Sequence, residues 1–257
     1  MFDVDRYLAV LGQSSRPEPT REVLALLHRR HLATLPYDSS LNAGRGLALW
    51  AGIDIDVDAV FDEIVTGDRG GVCYELNGLF RELLARLGYE VGVLAAGIRQ
   101  VDGSFGPDLE HVLSFARVDG ESLLVDVGFV GPSYLEPLRL SDEVQHQAGT
   151  DFRVVPDGGY QVVQRRGRVG EWQPVYRLHP RPRALSEWRR PDTGLEEFAR
   201  RLAGAGTVVR GRATDTGQKI LIGRRLLVVD DGKDTLRGLV TQADLDDAVA
   251  DILRRPA

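Results

Sequence analysis

The residue with the strongest claim to chemistry is Cys73, the single cysteine of the chain. It stands in Asp68-Arg69-Gly70-Gly71-Val72-Cys73-Tyr74-Glu75-Leu76-Asn77, directly after a Gly-Gly turn. An apolar-periodic segment begins there and predicts a helix over 73–87, ended by Gly88. At a helix N-terminus the unpaired N–H groups and the positive end of the macrodipole favour a thiolate over a thiol. The same N–H groups can hold the oxyanion of a tetrahedral intermediate, and the glycines let backbone and substrate approach closely. A lone cysteine excludes an intrachain disulfide and a multi-cysteine metal site. The competing reading is a free cysteine packed as a small apolar residue, and the residues that could serve as its base decide between them.

A thiolate nucleophile needs a base to take and return its proton. Of the 5 histidines, His111 stands at the head of an apolar strand, in Leu109-Glu110-His111-Val112-Leu113. His28 and His31 fall on a predicted helix, and His146 and His179 lie in polar or Pro-rich surroundings, so these read as surface or packing residues. Asp126 interrupts Leu123-Leu124-Val125-Asp126-Val127-Gly128-Phe129, a run that otherwise reads as a buried strand. A buried carboxylate without a partner is costly. Asp119-Gly120 predicts a tight turn that makes the two strands antiparallel, which brings Asp126 within reach of His111 to fix its tautomer and orientation. The expected roles are nucleophile for Cys73, general base for His111 and orienting acid for Asp126.

These three residues depend on a particular succession of elements. The first third reads helical, over 4–11 after Asp3 and over 20–35, where Leu24, Leu27, His31 and Leu35 recur at helical spacing until Pro36 stops the helix. A polar loop over 37–46 follows, then a helix starting at Asp56 and ending near Gly67. From Glu90 the period becomes that of strands, over 91–96, 111–116 and 122–127, with shorter ones around 152–155, 159–165 and 172–178. Pro180 and Pro182 close this part. The remainder shows a helix over 194–202, strands near 208–212, 218–222 and 225–229, and a terminal amphipathic helix over 242–253. The expected fold is α+β: an N-terminal helical bundle over 1–88, a central β-barrel over 89–182 and a C-terminal α/β lid over 183–257.

Composition narrows the function classes. With 257 residues, 43% hydrophobic and 27% charged, the chain has ample material for a buried core. A net charge of −6 argues against nucleic-acid binding. No run approaches the roughly 18 apolar residues a membrane span needs, and the start Met1-Phe2-Asp3-Val4-Asp5 has no basic then apolar leader. The cytoplasm is the expected compartment. Lys219 and Lys233 are the only lysines beside abundant arginine, a bias that points to a GC-rich, actinobacterial genome.

The stretch from Arg69 to Asn77 resembles the active-site signature of the arylamine N-acetyltransferases. The similarity extends through Leu79-Phe80, Leu87-Gly88-Tyr89, the His111 strand, the segment from Leu124 to Phe129, and His31 through Pro36. It covers most of the chain up to about Pro180, and the order of helical domain, barrel and lid on a cysteine-protease-like core matches too. The resemblance implies a Cys73–His111–Asp126 triad that takes an acyl group from a thioester, typically acetyl-CoA, and passes it to an aromatic amine by a ping-pong route. No bound cofactor or metal is implied, only an acyl thioester co-substrate. Aminolysis of the acyl-cysteine runs downhill, so what the protein must add is exclusion of water.

Three departures from the family pattern point to one branch of it. Pro36-Tyr37-Asp38-Ser39 stands where Pro-Phe-Glu-Asn is common, and Val130 follows Val127-Gly128-Phe129 where glycine is usual. The Ser/Thr-rich stretch associated with the coenzyme is not recognisable in Trp188-Arg189-Arg190-Pro191-Asp192-Thr193-Gly194. Ansamycin amide synthases, a branch of the family, accept a polyketide from an acyl carrier protein and close it onto its own aromatic amine. Val130 followed by Gly131-Pro132-Ser133-Tyr134-Leu135 is similar to that branch. The expected function is therefore macrolactam-forming amide synthesis, with acetylation from acetyl-CoA as the alternative. Pocket residues expected on this basis are Tyr37, Ser39 and the rest of the loop to Gly46, then Arg69, Gly71 and Val72, and finally Val130, Gly131 and Tyr134. Cysteine, histidine and aspartate in that order also occur in papain-like proteases and transglutaminases, which keeps hydrolysis and crosslinking as remote alternatives.

Overall fold

The computed structural model describes residues 1–45, 48–190 and 193–255. Helices α1 (Val4–Val10), α2 (Arg21–Thr34), α3 (Val57–Phe61) and α4 (Cys73–Arg86) build the N-terminal part. Asp3, Thr20 and Asp56 cap the first three, each side chain accepting a first-turn N–H. α3 widens into a π turn over Asp62–Thr66. Tyr7, Leu24, Leu27, Phe61, Leu76 and Phe80 are all buried in the core these helices share. The segment expected as a plain loop carries a short strand, β1 (Tyr37–Asp38), and a 3-10 turn over Ser39–Gly44, while Gly46 lies outside the described residues.

Eight antiparallel strands follow: β2 (Glu90–Ile98), β3 (His111–Val118), β4 (Glu121–Val125), β5 (Leu138–Arg139), β6 (Gln145–Gln147), β7 (Thr150–Asp157), β8 (Tyr160–Arg166) and β9 (Gln173–Leu178). Their order is β5-β4-β3-β2-β9-β8-β7-β6, curled into a nearly closed barrel. The Val154 N–H donates to the Ser141 carbonyl (2.8 Å) and ties the β5 end to β7. Asp119 (φ 52°) and Gly120 (φ 78°) make the tight β3–β4 turn. Register pairs Val118 with Glu121 and Ser114 with Val125, so the two strands run back to back as the sequence implies. β4 stops at Val125, and Asp126 lies just past the last ladder pair.

Helix α5 (Leu195–Ala205) leads into β10 (Val209–Thr214), β11 (Gly217–Ile222), β12 (Arg225–Asp230) and β13 (Lys233–Gly238). α6 (Gln242–Leu253) buries Ala248 and Ile252 against Leu221 and Leu226. The sheet order is β1-β10-β11-β12-β13, so the helical N-terminal part supplies an edge strand to the C-terminal sheet. β13 is not foreseen by periodicity because all of its residues are exposed and alternation carries no signal there. No helix among the described residues is long and apolar enough to cross a membrane.

Candidate active site

Close backbone approach sets where α4 begins. The Gly71 N–H donates to the Pro36 carbonyl (3.0 Å), and the Asp38 N–H donates to the Gly71 carbonyl (2.9 Å). A Cβ on Gly71 would sit 2.8 Å from Ile64 Cδ1 and 2.9 Å from Leu76 Cδ2, tighter than packed carbons allow. Glu75 folds back so that its carboxylate accepts the Val72 N–H (3.0 Å), satisfying a donor the helix start would leave unpaired. Burial opposes the charge on Glu75. The hydrogen bonds from Arg69 (3.1 Å), Val72 and Arg45 (2.8 Å) outweigh it and hold the carboxyl below its usual range. Cys73, half-buried, is the first residue of the helix that this lattice fixes.

His111 and Asp126 are both buried, and His111 Nε2 lies 2.7 Å from Asp126 Oδ2. That contact leaves Nδ1 as the ring nitrogen available to Cys73, which borders the same cavity. Burial alone would pull the imidazole down, but the charge and hydrogen bond of Asp126, with Cys73 adding to them, raise it to about 10. Asn77, one turn along α4 from Cys73, holds the carboxylate from the other side. Its Nδ2 donates to Asp126 Oδ1 (3.0 Å) and to the Val112 carbonyl (2.7 Å), and its Oδ1 accepts the Val127 N–H (2.9 Å). Gly128 donates to Asp126 Oδ1 (3.1 Å). A Cβ on Gly128 would sit 2.6 Å from the Cys73 carbonyl oxygen, so the 126–128 segment meets α4 backbone to backbone.

A second layer lies behind this one, and sequence reasoning passed over it. His28 is fully buried. Its Nδ1 lies 2.8 Å from the Leu135 carbonyl and its Nε2 accepts the Asp126 N–H (3.1 Å), a pattern that only the neutral Nδ1–H tautomer satisfies. Burial lowers its pKa to about 4. The His28 ring stacks on Tyr134 (5.7 Å, 17°), whose hydroxyl is 2.8 Å from that of Tyr176. The Tyr176 ring also packs beside His111 (5.9 Å between ring centres). His31 is also buried, with Nε2 2.8 Å from the Tyr7 hydroxyl, and burial lowers it to about 3.

A cavity of about 470 Å³ opens beside Cys73 and His111. Of the expected pocket residues, Tyr37, Ser39, Val72 and Val130 border it, as does Asn42 of the same loop. Arg69 does not, being engaged with Glu63 and Glu75, and Gly71 serves the turn instead. Gly131 faces a small void beside β10, and Tyr134 sits behind Asp126. Ser39 Oγ accepts the Val209 N–H (2.8 Å), linking the 3-10 turn to β10. The opposite wall includes Trp50, Phe198 and Leu202, the last two from α5, residues that sequence reasoning did not single out. Among the described residues no cluster of ligating side chains could hold a metal ion. A thiol, a histidine anchored by a carboxylate and a largely apolar cavity together suit acyl transfer through a covalent thioester.

Residues 20–255 match the N-acetyltransferase family model. The chain belongs to that family. It is thus an acyltransferase enzyme. It is 37% identical over 259 residues to proansamycin X synthase of Amycolatopsis mediterranei, covering 98% of this chain and 97% of that protein. It is 34% identical over 190 residues to an arylamine N-acetyltransferase of Mycolicibacterium smegmatis, covering 71% of this chain and 67% of that one. Among solved structures, the M. smegmatis arylamine N-acetyltransferase superposes with a TM-score of 0.78 at 27% identity, covering 100% of this chain and 93% of that one. The Mycobacterium marinum enzyme in complex with CoA gives 0.78 at 27% identity over 98% and 93%.

Proposed function

We propose that this N-acetyltransferase family member is an amide synthase that receives a polyketide acyl chain from an acyl carrier protein and closes it onto the chain's own aromatic amine, forming a macrolactam. The observation that carries this reading is the end-to-end similarity to proansamycin X synthase, 98% of this chain against 97% of that protein. The similarity to the M. smegmatis acetyltransferase covers 71% of this chain. In this reading the helical part to residue 88 supplies the nucleophile, the barrel to residue 182 supplies base and orienting acid, and 183–257 walls the cavity.

In the first half-reaction the proton of the Cys73–His111 pair rests on the imidazole, and the Cys73 thiolate attacks the thioester carbonyl. First-turn N–H groups of α4 steady the oxyanion. Collapse breaks the carbonyl–sulfur bond of the donor, whose thiolate leaves with the proton returned by His111. In the second, the neutral aromatic amine attacks the acyl-Cys73 carbonyl, His111 takes the N–H proton, and the C–S bond breaks to give the amide and Cys73 thiol. Asp126 stabilises the imidazolium in both steps, consistent with the upward shift of His111. Asn77 and the backbone of Gly128 keep Asp126 in place.

Intact-protein mass measurement tests this. Incubation with a long-chain acyl thioester is expected to add one acyl group at Cys73, with acetyl-CoA adding little. Rapid acetylation followed by transfer to an arylamine would favour acetylation from CoA instead. Full iodoacetamide labelling of Cys73 with no acylation by either donor would refute acyl transfer.

A further inference from the structure

Among the described residues, Glu110 is the only carboxylate bordering the cavity. It immediately precedes His111, in the bend that leads into β3. The Trp50 indole N–H donates to the Glu110 carbonyl (3.1 Å), fixing the main chain there. On the side chain, Oε2 accepts the Ile98 N–H (3.0 Å) and lies 3.5 Å from Gln100 Nε2. Oε1 has a single long contact, 3.4 Å to the same Gln100 nitrogen. A carboxylate offers about four acceptor positions, so Oε1 keeps capacity for another donor.

Such a group is expensive to maintain in a cavity whose lining also includes Trp50, Phe198, Leu202 and Ile98. Burial pushes its carboxyl up to about 7, against the Ile98 N–H, the neighbouring His111, Gln100 and the more distant Arg201. A carboxyl that borders the cavity next to the base and leaves one oxygen with a single long contact is placed for recognition rather than for packing. The catalytic steps above make no use of it.

We propose that Glu110 selects the amine acceptor by taking a hydrogen bond from a donor group on its aromatic ring, a hydroxyl above all, while the ring's amino nitrogen attacks acyl-Cys73. This rests on the acyl-cysteine reading given under Proposed function. An acceptor bearing that group fills the open position on Oε1, and one lacking it leaves the carboxylate unmatched.

The test loads Cys73 with a long-chain acyl thioester of N-acetylcysteamine and measures transfer to 3-aminophenol and to 3-methoxyaniline, which differ in the ring donor. A hydrogen bond to a charged group predicts that the wild-type protein favours 3-aminophenol by about ten- to a hundred-fold in kcat/KM. In Glu110→Gln the single carbonyl oxygen is committed to the Ile98 N–H, so the preference collapses. Loading of Cys73 in the variant reports that it is folded. A wild-type protein that loads but shows no preference, or a loaded variant that keeps it, overturns the assignment of Glu110 and leaves acyl transfer intact. If the variant does not load, the wild-type comparison decides alone. Absence of loading in the wild-type protein defeats the acyl-cysteine reading and this inference with it.

Discussion

Replacing His28 by Gln is expected to flatten the acid side of the stability profile. His28 sits neutral in the fold, with a pKa lowered from 6.5 to about 4 by burial, and its Nε2 must stay unprotonated to accept the Asp126 N–H. Below 6.5 the unfolded chain binds a proton at His28 that the folded chain refuses until about pH 4, so stability rises with pH across this window and is fully present above it. One proton corresponds to about 1.4 kcal/mol per pH unit, or about 3 kcal/mol over the whole interval. His31, lowered to about 3 by burial and, to a lesser degree, by His28, contributes a parallel slope that the substitution largely keeps. The assay is urea unfolding of both proteins from pH 7.5 to 4 at constant ionic strength. The variant should be the less stable at pH 7.5, because glutamine cannot reproduce the stack on Tyr134, and the gap should narrow as pH falls. Parallel profiles would refute the assignment of His28 as a neutral anchor for Asp126.

Other substitutions probe the front of the site. Cys73→Ala should abolish acyl loading, seen by intact mass, while leaving the urea midpoint close to wild type. Asp126→Asn should slow loading by about a thousand- to ten-thousand-fold, since the imidazolium loses its counter-charge and its preferred tautomer, and stopped-flow release of donor thiol measures this. Gly128→Ala drives a Cβ against the Cys73 backbone and should lower stability by about 1–3 kcal/mol in urea unfolding, with slower loading. Ser39→Ala removes the acceptor of the Val209 N–H and should cost about 1 kcal/mol, read the same way.

Much of the architecture was legible because its signals are local. The Asp119-Gly120 turn and an aspartate inside an apolar run are enough to pair β3 with β4 and to draw His111 and Asp126 together. Helix α4 is announced by its glycines and its periodicity. The residues that escaped notice are those whose meaning comes from a distant partner. Nothing around His28 on α2 signals the Asp126 N–H it accepts, nor does helical spacing distinguish it from a packing residue. Glu110 read only as the neighbour of a base, since the void beside it is made by Trp50 and α5. β13 has no buried face to write a period into the sequence, and Tyr37–Asp38 becomes a strand because distant partners, β10 and Gly71, run alongside.

That last pairing bears on when the site can exist. Tyr37 faces Gly211 and Asp38 faces Arg210, while Tyr37 also bridges to Gly71 in the turn that presents Cys73. Closing a loop of that span is slow relative to local helix and hairpin formation. During synthesis the helices and the barrel emerge well before β10 does, so the nascent chain carries its thiol with one wall of the pocket missing. That wall is completed only once β10 has been made and docks beside β1, a strand that precedes it by a long stretch of chain.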